Sequence, residues 1–362
     1  MKKIVTILGA RPQFIKGAVL SREIAKCKDL EEVIIHTGQH YDANMSAVFF
    51  EEMGIPTPAY HLNINGLSHG AMTGQMLAEI EKVLLQEKPA AVVVFGDTNS
   101  TLAGALAAKK LGIKLVHIEA GLRSFNMQMP EEINRILTDR ISDLLLCPTQ
   151  QAMDNLELEG YDHIENTVVK SGDIMKDAVH YYSRLSAEKS NVLSQLGLTA
   201  SPFVLATIHR QENTDDLSKL KAIFKGLESI GLQEKVVVPL HPRTKAILEK
   251  HGLQYNITFI APVGYFDMME LLKHCSMVVT DSGGLQKEAF FHKKHCVIAR
   301  NETEWVELVE HGFATIVGSD TEILQEAYTA FKTKKSDFSM NLFGENIGGT
   351  IMKEIQQLIE LS

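Results

Sequence analysis

The chain lacks the features that mark extracellular, membrane and fibrous proteins. It has only four cysteines in 362 residues, and no two of them form a CxxC pair. No apolar run approaches the roughly 20 residues that a membrane span requires, and there is neither a repeat of solenoid length nor a low-complexity tract. Isolated cysteines favour free thiols over disulfides. We therefore expect a globular cytoplasmic protein without membrane contact.

Two phosphate-binding patterns are also absent. Neither GxGxxG nor GxxxxGK followed by Ser or Thr occurs in the sequence. This argues against a nicotinamide dehydrogenase and a P-loop NTPase, and we predict no cofactor. The formal net charge of −9 argues against a nucleic-acid partner, which usually needs a basic face. It does not exclude an anionic ligand, because helix N-termini and a few local cations suffice to bind phosphate.

Short β-branched runs alternate with longer amphipathic segments along the whole chain, which predicts βαβ units and parallel sheets. The length suggests two domains of about 150–200 residues each. We expect an α/β fold with two doubly wound Rossmann-like domains that face each other across a ligand-binding cleft. We place the first domain at residues 1–170 and the second at 171–347, and we expect the final helix, 348–362, to pack back on the first domain.

The expected elements form one series in each half of the chain. Strands are expected at 3–8, 32–36, 91–95, 114–118, 143–147, 167–170, 203–207, 235–239, 257–260, 277–280, 295–298 and 313–316. Helices are expected at 13–27, 69–86, 99–111, 131–140, 174–196, 215–230, 243–250, 266–274, 283–292, 320–332 and 348–361. The first strand ends at Gly9 after a short apolar run, which distinguishes it from a signal peptide.

Three carboxylates occupy the positions where predicted strands end and helices begin. Asp97 follows strand 91–95, Glu119 follows strand 114–118, and Glu131 opens a helical stretch that carries Arg135 one turn later. Ligands of open α/β sheets lie outside the carboxyl ends of the strands, where acids can move protons on a bound substrate. The alternative is that each acid only caps a helix. We favour an active site, because the three acids share one edge.

The loop after the first strand has the composition of an anion site. Gly9 permits a tight turn into a helix whose N-terminus offers free N–H groups. Arg11 and Lys16 would add positive charge there. The alternative is a turn with a solvated arginine.

Two loops of the second half have similar composition. Ser282 is suited to cap a helix, Gly283 and Gly284 let the backbone approach a diphosphate, and Glu288 can accept hydrogen bonds from ribose hydroxyls. The alternative is an ordinary glycine-rich loop. His209 and Arg210 follow strand 203–207 and indicate phosphate recognition or acid–base work, unless the histidine is merely satisfied by neighbouring carbonyl groups.

A polar turn at 36–42 contains an HxxxH spacing, His36 and His40. The spacing crosses a glycine-containing loop and no third ligand is near in the sequence, so we predict no metal site there.

Several motifs together resemble the non-hydrolysing UDP-sugar 2-epimerases, and the resemblance covers the whole chain. The motifs that carry it are Gly-Ala-Arg-Pro-Gln-Phe-Ile-Lys (9–16), Thr-Gly-Gln-His (37–40), Gly-Asp-Thr-Asn-Ser-Thr (96–101), His-Ile-Glu-Ala-Gly-Leu-Arg (117–123), Pro-Glu-Glu-Ile-Asn-Arg (130–135), His-Arg-Gln-Glu-Asn (209–213) and Thr-Asp-Ser-Gly-Gly-Leu-Gln-Lys-Glu (280–288). The resemblance implies a GT-B-like fold, a UDP-acetamido-sugar substrate in the interdomain cleft and a homodimer.

The resemblance also implies roles for individual residues. The residues implied as catalytic are Lys16, Asp97, Glu119, Glu131, Arg135 and His209. The residues implied in binding the UDP-sugar are Arg11, Lys16, His209, Arg210, Ser282, Gly283, Gly284, Glu288 and Arg300. The implied reaction inverts C2 by eliminating UDP to form a glycal and then adding UDP back. A hydrolysing 2-epimerase and a GT-B glycosyltransferase are the alternatives.

Some segments differ from the residues that are usual at these positions in the UDP-N-acetylglucosamine enzymes. Residues 264–269 and 300–307 look more like the branch that acts on UDP-2,3-diacetamido-2,3-dideoxyglucuronic acid. Gly74-Gln75 stands where activator-regulated members have an Arg-Gln pair. This argues against allosteric activation through Gln39 and His40.

Overall fold

The computed structural model describes residues 1–39, 50–51, 53–199 and 201–360. The predicted polar turn at 36–42 is therefore only partly described, and His40 lies outside the described residues. The chain divides into two compact units, Met1–Ala178 with Asn341–Ser362, and Val179–Met340. The C-terminal helix thus belongs to the first unit.

The first unit is built on a seven-stranded parallel sheet with the order β3-β2-β1-β4-β5-β6-β7. Its strands are β1 (Lys2–Leu8), β2 (Leu30–His36), β3 (Tyr60–His61), β4 (Ala91–Phe95), β5 (Lys114–Ile118), β6 (Leu144–Cys147) and β7 (Thr167–Lys170). Its helices are α1 (Arg11–Ile24), α2 (His69–Glu87), α3 (Asn99–Lys110), α4 (Pro130–Ile141), α5 (Gln150–Leu158) and the C-terminal helix Ile347–Glu360, while Ile174–Lys189, labelled α6, leads into the second unit. The strand order reverses between β1 and β4, which makes this point the switch point of a doubly wound sheet.

The second unit repeats the plan with a six-stranded parallel sheet in the order β10-β9-β8-β11-β12-β13. Its strands are β8 (Phe203–Thr207), β9 (Lys235–Pro239), β10 (Thr258–Ile260), β11 (Met277–Thr280), β12 (Cys296–Ile298) and β13 (Ala314–Ile316). Its helices are α7 (Val192–Gln195), α8 (Gln211–Thr214), α9 (Leu217–Gly231), α10 (Pro242–Lys250), α11 (Tyr265–His274), α12 (Gly283–Phe291), α13 (Val306–Glu310) and α14 (Thr321–Thr333). The C-terminal helix of the first unit, Ile347–Glu360, is labelled α15. Its switch point lies between β8 and β11.

The central strands are buried on both faces, as expected for sheets covered by helices. Every residue of β4 is inaccessible to solvent, and β8 is buried from Phe203 to Thr207. In the first unit α1 packs against α15, and α3 packs against both α2 and α4. No helix among the described residues combines the length and the apolar character that crossing a membrane requires.

The single helix predicted at 174–196 is wrong, because the structure has two helices there. α6 ends at Lys189 and α7 begins at Val192. The hydroxyl of Ser190 accepts a hydrogen bond from the backbone N–H of Val192 at 3.3 Å. Serine and asparagine side chains offer the backbone such local alternatives to helical hydrogen bonds, which explains the break at Ser190-Asn191.

The end of β2 carries a buried histidine that should make the first unit sensitive to acid. The ring of His36 packs 4.7 Å from Phe14 and 5.3 Å from His61. Burial, followed by the charge of His61, lowers the pKa of His36 to about 4. In the unfolded chain the pKa of this histidine is about 6.5. The folded protein therefore has its full stability above pH 6.5 and loses stability as the pH falls toward 4, because the unfolded chain then binds a proton that the buried ring does not.

We predict that His36→Phe removes part of this acid sensitivity. The free energy of unfolding of the wild type should be about 2 kcal/mol lower at pH 5 than at pH 7, because His36 takes up a proton on unfolding at pH 5. Phenylalanine keeps the aromatic packing but cannot bind a proton. Urea unfolding at pH 5 and pH 7 measures the difference, with the exposed His251→Gln variant as the control. An equal loss in wild type and His36→Phe would contradict the prediction.

Candidate active site

In the first unit, two loops meet at the switch point of the sheet, and Gln13 joins them. Its Oε1 accepts hydrogen bonds from the backbone N–H groups of Gly9 at 2.8 Å and Ala10 at 3.0 Å. Its Nε2 donates to the carbonyl oxygen of Phe95 at 2.7 Å. The loop after β1 is thereby tied to the loop after β4. A β-carbon on Gly9 would overlap the hydroxyl of Ser100, so this close approach requires glycine.

Lys16 and Glu119 form a buried ion pair at this point. Lys16 lies on α1, and its Nζ contacts Oε2 of Glu119, which follows β5. Glu119 has a φ of 75°, a left-handed conformation that is strained for a residue with a side chain. Its backbone N–H donates to the carbonyl oxygen of Leu146 at 3.0 Å. The strained backbone is therefore held by β6, and it directs the carboxylate toward Lys16.

The Glu119 carboxylate also lies next to the turn that carries Asp97. Its Oε2 is 3.2 Å from the position that a β-carbon on Gly96 would occupy. Gly96 has a φ of 62°, which favours glycine. Lys16, Glu119 and the Gly96-Asp97 turn thus form one cluster at the carboxyl ends of β1, β4 and β5.

Asp97 is held by an arginine rather than used as a helix cap. Its Oδ2 lies 2.6 Å from Nη2 of Arg135 on α4. The cap of α3 is Thr98, whose hydroxyl accepts from the N–H of Thr101. The capping alternative therefore does not explain Asp97, which is half-buried and oriented by a buried guanidinium.

The adjacent acids Glu131 and Glu132 have different environments. Glu131, which the sequence singled out, is exposed in the first turn of α4, a position where an acid also suits the helix dipole. Glu132 is buried, and its Oε2 accepts from Nη1 of Arg135 at 2.7 Å. Burial alone would raise the pKa of Glu132, but hydrogen bonds from Ser124, Arg135 and Phe125 outweigh it and lower the pKa. Sequence reasoning missed Glu132, which fixes the arginine that holds Asp97.

In the second unit, Asp281 organises the loop that carries His209 and Arg210. Asp281 follows β11 and is inaccessible to solvent. Its carboxylate accepts hydrogen bonds at 3.0 Å from the backbone N–H groups of His209 and Arg210, and from Nδ2 of Asn213. The prediction from the sequence quoted Asp281 within a motif but gave it no role. Its position directly after a strand at the second switch point could have indicated one.

His209 also lies close to a second histidine. The ring centroids of His209 and His241 are 5.4 Å apart. Burial, then the charges of His209 and Arg243, lower the pKa of His241. His241 is therefore favoured as a neutral neighbour of His209.

The N-terminus of α12 is a candidate anion-binding site. Ser282 is its N-cap residue, although its side chain makes no capping hydrogen bond. A β-carbon on Gly283 would lie 3.5 Å from Oε2 of Glu304, 3.7 Å from Nη2 of Arg210 and 3.8 Å from Nη1 of Arg300, whereas nothing lies within 4 Å at Gly284. Open helix N–H groups beside two guanidinium groups suit a phosphate.

Other predicted residues surround these clusters. Arg300 is 1% exposed and its guanidinium contacts the carboxylate of Glu304 at 3.0 and 3.1 Å. Glu288 is half-buried on α12, and Arg11 is half-buried in the first turn of α1. Oε1 of Gln39 accepts hydrogen bonds from the N–H of Ser100 at 2.9 Å and from its hydroxyl at 2.7 Å.

Comparison with known proteins gives the family. A family model described as UDP-N-acetylglucosamine 2-epimerase matches residues 22–353. The chain belongs to the UDP-N-acetylglucosamine 2-epimerase family. The Pseudomonas aeruginosa protein named UDP-2,3-diacetamido-2,3-dideoxy-D-glucuronate 2-epimerase is 50% identical over 358 residues, 99% of each chain. The Methanocaldococcus jannaschii UDP-N-acetylglucosamine 2-epimerase is 43% identical over 357 residues, 96% of each chain.

Solved structures agree with this membership. The crystal structure of the Methanocaldococcus jannaschii UDP-GlcNAc 2-epimerase in complex with UDP-GlcNAc and UDP matches with a TM-score of 0.90 and 42% identity, over 98% of this chain and 99% of that chain. The predicted fold class, α/β with two Rossmann-like domains of the GT-B-like type, is confirmed. As predicted, the protein is an enzyme that acts on UDP-sugars, an isomerase.

Proposed function

We propose that this epimerase inverts C2 of a UDP-2-acetamido sugar by eliminating and re-adding UDP. The C2 proton has no adjacent carbonyl group to stabilise a carbanion, so simple deprotonation is very unfavourable. When a base removes the proton, the C2–H electron pair forms a C1=C2 double bond and the C1–O pair leaves with UDP. A diphosphate oxygen of UDP then adds to C1 of the neutral glycal, while C2 takes a proton on its opposite face.

The cluster of Lys16, Glu119 and Asp97 carries this proposal. Inversion needs acid–base groups that serve both faces of C2, and we assign this work to Asp97, Glu119 and Glu131. Lys16 and Arg135 supply positive charge for the departing diphosphate. The placement of the Glu119 carboxylate against the Gly96-Asp97 turn supports the assignment, because it brings two of the acids to one site.

We assign the nucleotide to the loops at the second switch point. Helix N–H groups at Gly283 and Gly284, together with Arg210, would bind the diphosphate. Glu288 would accept hydrogen bonds from the ribose. His209 would contact the reacting region of the UDP-sugar. Additional proposed contacts come from Arg11, Ser282 and Arg300.

The substrate class has two candidates, and relatives named for each of them are similar to this chain. The relative named for UDP-2,3-diacetamido-2,3-dideoxy-D-glucuronate is 50% identical, and the relatives named UDP-N-acetylglucosamine 2-epimerase homolog and UDP-N-acetylglucosamine 2-epimerase are 48% and 43% identical. The segments 264–269 and 300–307 also look like the first branch. We therefore propose the diacetamido uronate as a substrate beside UDP-N-acetylglucosamine.

Incubation with each UDP-sugar in deuterated water tests both the reaction and the substrate. We expect deuterium at C2 of an intact UDP-sugar, with interconversion of the two C2 epimers, because the catalytic acids exchange their protons with solvent. Mass spectrometry and NMR spectroscopy measure both. Stoichiometric release of free UDP would instead indicate a hydrolysing enzyme. UDP binding without exchange on any tested sugar would indicate a glycosyltransferase or a non-catalytic binder.

We also propose that the enzyme is a homodimer and works in the cytoplasm. The four cysteines are free thiols, as expected in a reducing compartment. Large apolar side chains are exposed on and before α4, among them Phe125 and Met127 at 75% and 61%, and a second copy could cover them. Light scattering should then give twice the mass of the chain.

A further inference from the structure

Beneath the proposed catalytic loops lies a chain of four polar side chains, three buried and the last exposed, that the reaction itself does not use. His117 lies on β5, inaccessible to solvent, with ring nitrogens in contact on both sides. Its Nε2 is 2.7 Å from the carbonyl oxygen of Gly96, and its Nδ1 is 2.6 Å from Oδ1 of Asp139. Both neighbours are acceptors, so both contacts are hydrogen bonds when both ring nitrogens carry a proton.

The chain continues from Asp139 to the second loop. Oδ2 of Asp139, on α4, accepts from the backbone N–H of Gly121 at 3.1 Å and from Nη1 of Arg123 at 2.7 Å. Arg123 also binds both carboxylate oxygens of Glu159, at 2.7 and 2.8 Å. This connected set, His117, Asp139, Arg123 and Glu159, is called the relay below.

Two members of the relay, His117 and Asp139, contact backbone groups beside proposed catalytic acids. Gly96 directly precedes Asp97, and Gly121 lies two residues after Glu119. Gly121 has a φ of 78°, and a β-carbon on it would overlap the carbonyl oxygen of Ala152. The relay therefore holds two backbone segments with left-handed residues, of which Glu119 is the strained one, because glycine tolerates a positive φ.

The buried carboxylate of Asp139 is stabilised by its neighbours in the relay. Burial by itself would raise the pKa of Asp139, but the charges and hydrogen bonds of His117 and Arg123 outweigh it and lower the pKa. An apolar residue at position 117 would fill the core as well, but it could not bind Gly96 and Asp139 at once. The contacts with Gly96 and Asp139 thus account for a histidine at this buried position.

We propose that His117 and Asp139 are positioning residues that set the Asp97 and Glu119 loops relative to each other. The inference rests on the proposed function, because it assumes that these two acids serve C2. Displacement of a catalytic group by about 1 Å can cost on the order of a hundredfold in rate. The relay would act through that geometry, without touching the substrate.

The test uses His117→Gln and Asp139→Asn in the full-length enzyme, in deuterated water. The glycal can regain a deuteron on the original face, which returns labelled substrate, or on the opposite face, which gives labelled epimer. We expect kcat to fall about 10- to 100-fold and the ratio of the two labelled products to change about threefold or more. UDP affinity should stay within about twofold of the wild-type value, since neither substitution removes a proposed contact with the diphosphate.

The ratio separates positioning from stability. Unfolded molecules lower both labelling rates equally, so the ratio does not depend on how much of a variant folds. The matched controls are His163→Gln and Asp162→Asn, which alter an exposed His–Asp pair 3.6 Å apart and should leave kcat and the ratio unchanged. Amide hydrogen exchange gives a second readout, and we expect faster exchange in segment 119–123 of both relay variants.

The outcomes distinguish the two proposals. An active wild type whose relay variants keep the product ratio, the kcat per folded molecule and the amide exchange rates would overturn the positioning role alone. A wild type without C2 exchange on any UDP-sugar would overturn the proposed function, and the amide exchange rates would then still decide whether the relay holds the loops.

Discussion

Asp97→Asn should lower the rate of C2 exchange about a thousandfold, in the middle of the range for loss of a general acid or base. The amide oxygen of asparagine can still accept from Nη2 of Arg135, so the loop should keep its shape. The lost property is the ability to take or give a proton. UDP affinity should remain within about twofold, because Asp97 is not among the proposed nucleotide contacts. Exchange measured by NMR spectroscopy and UDP titration by calorimetry check the two parts.

The control for this variant is Asp143→Asn. Asp143 precedes β6 and pairs with Lys109 at 2.8 Å, so it lies at the opposite edge of the same sheet. Its replacement should leave exchange intact. Glu131→Gln should lower exchange to a similar extent, with UDP affinity retained. Glu322→Gln changes an exposed acid at the same position of α14 and should have no such effect. Full activity in Asp97→Asn and Glu131→Gln would refute the assignment of the acids.

Asp281→Asn should weaken UDP binding about 100-fold and lower the unfolding free energy by about 2–4 kcal/mol. Asp281 accepts from His209, Arg210 and Asn213, and an asparagine would turn an NH2 group toward at least one of these donors. The loop that carries His209 and Arg210 would then lose its fixed place beside α12. Calorimetric titration with UDP and urea unfolding measure the two losses.

Asp216→Asn is the matched control in the same unit. Asp216 caps α9 by accepting from the N–H groups of Ser218 at 2.9 Å and Lys219 at 3.2 Å. Its replacement should cost at most about 1 kcal/mol of stability and leave UDP affinity unchanged. If both variants bind UDP equally well, Asp281 does not organise the nucleotide site.

Much of the fold was predictable because its signals are local. The strands predicted at 91–95, 114–118 and 277–280 have the same bounds in the structure. Each is a short apolar run followed by a polar or glycine residue, which identifies a strand without reference to its neighbours. The two-residue strand β3 was missed, since a segment so short has no periodicity to detect.

Several supporting residues were not predictable, because their partners are far along the chain. Gln13 binds the carbonyl oxygen of Phe95, 82 residues away, and Asp281 binds the N–H of His209, 72 residues away. A single sequence gives no sign that such atoms meet. Their roles appear only when two strands have been placed side by side at a switch point.

The ends of the strands, and therefore the loops that carry Asp97, Glu119 and His209, could be predicted from the chain alone, because an apolar run and its polar terminus are properties of a few adjacent residues. Which of the adjacent Glu131 and Glu132 is buried against Arg135 became known only from the folded structure. Successive side chains on a helix differ by about 100° in direction, so the packing of α4 against the sheet, and not the residue type, sets their environments.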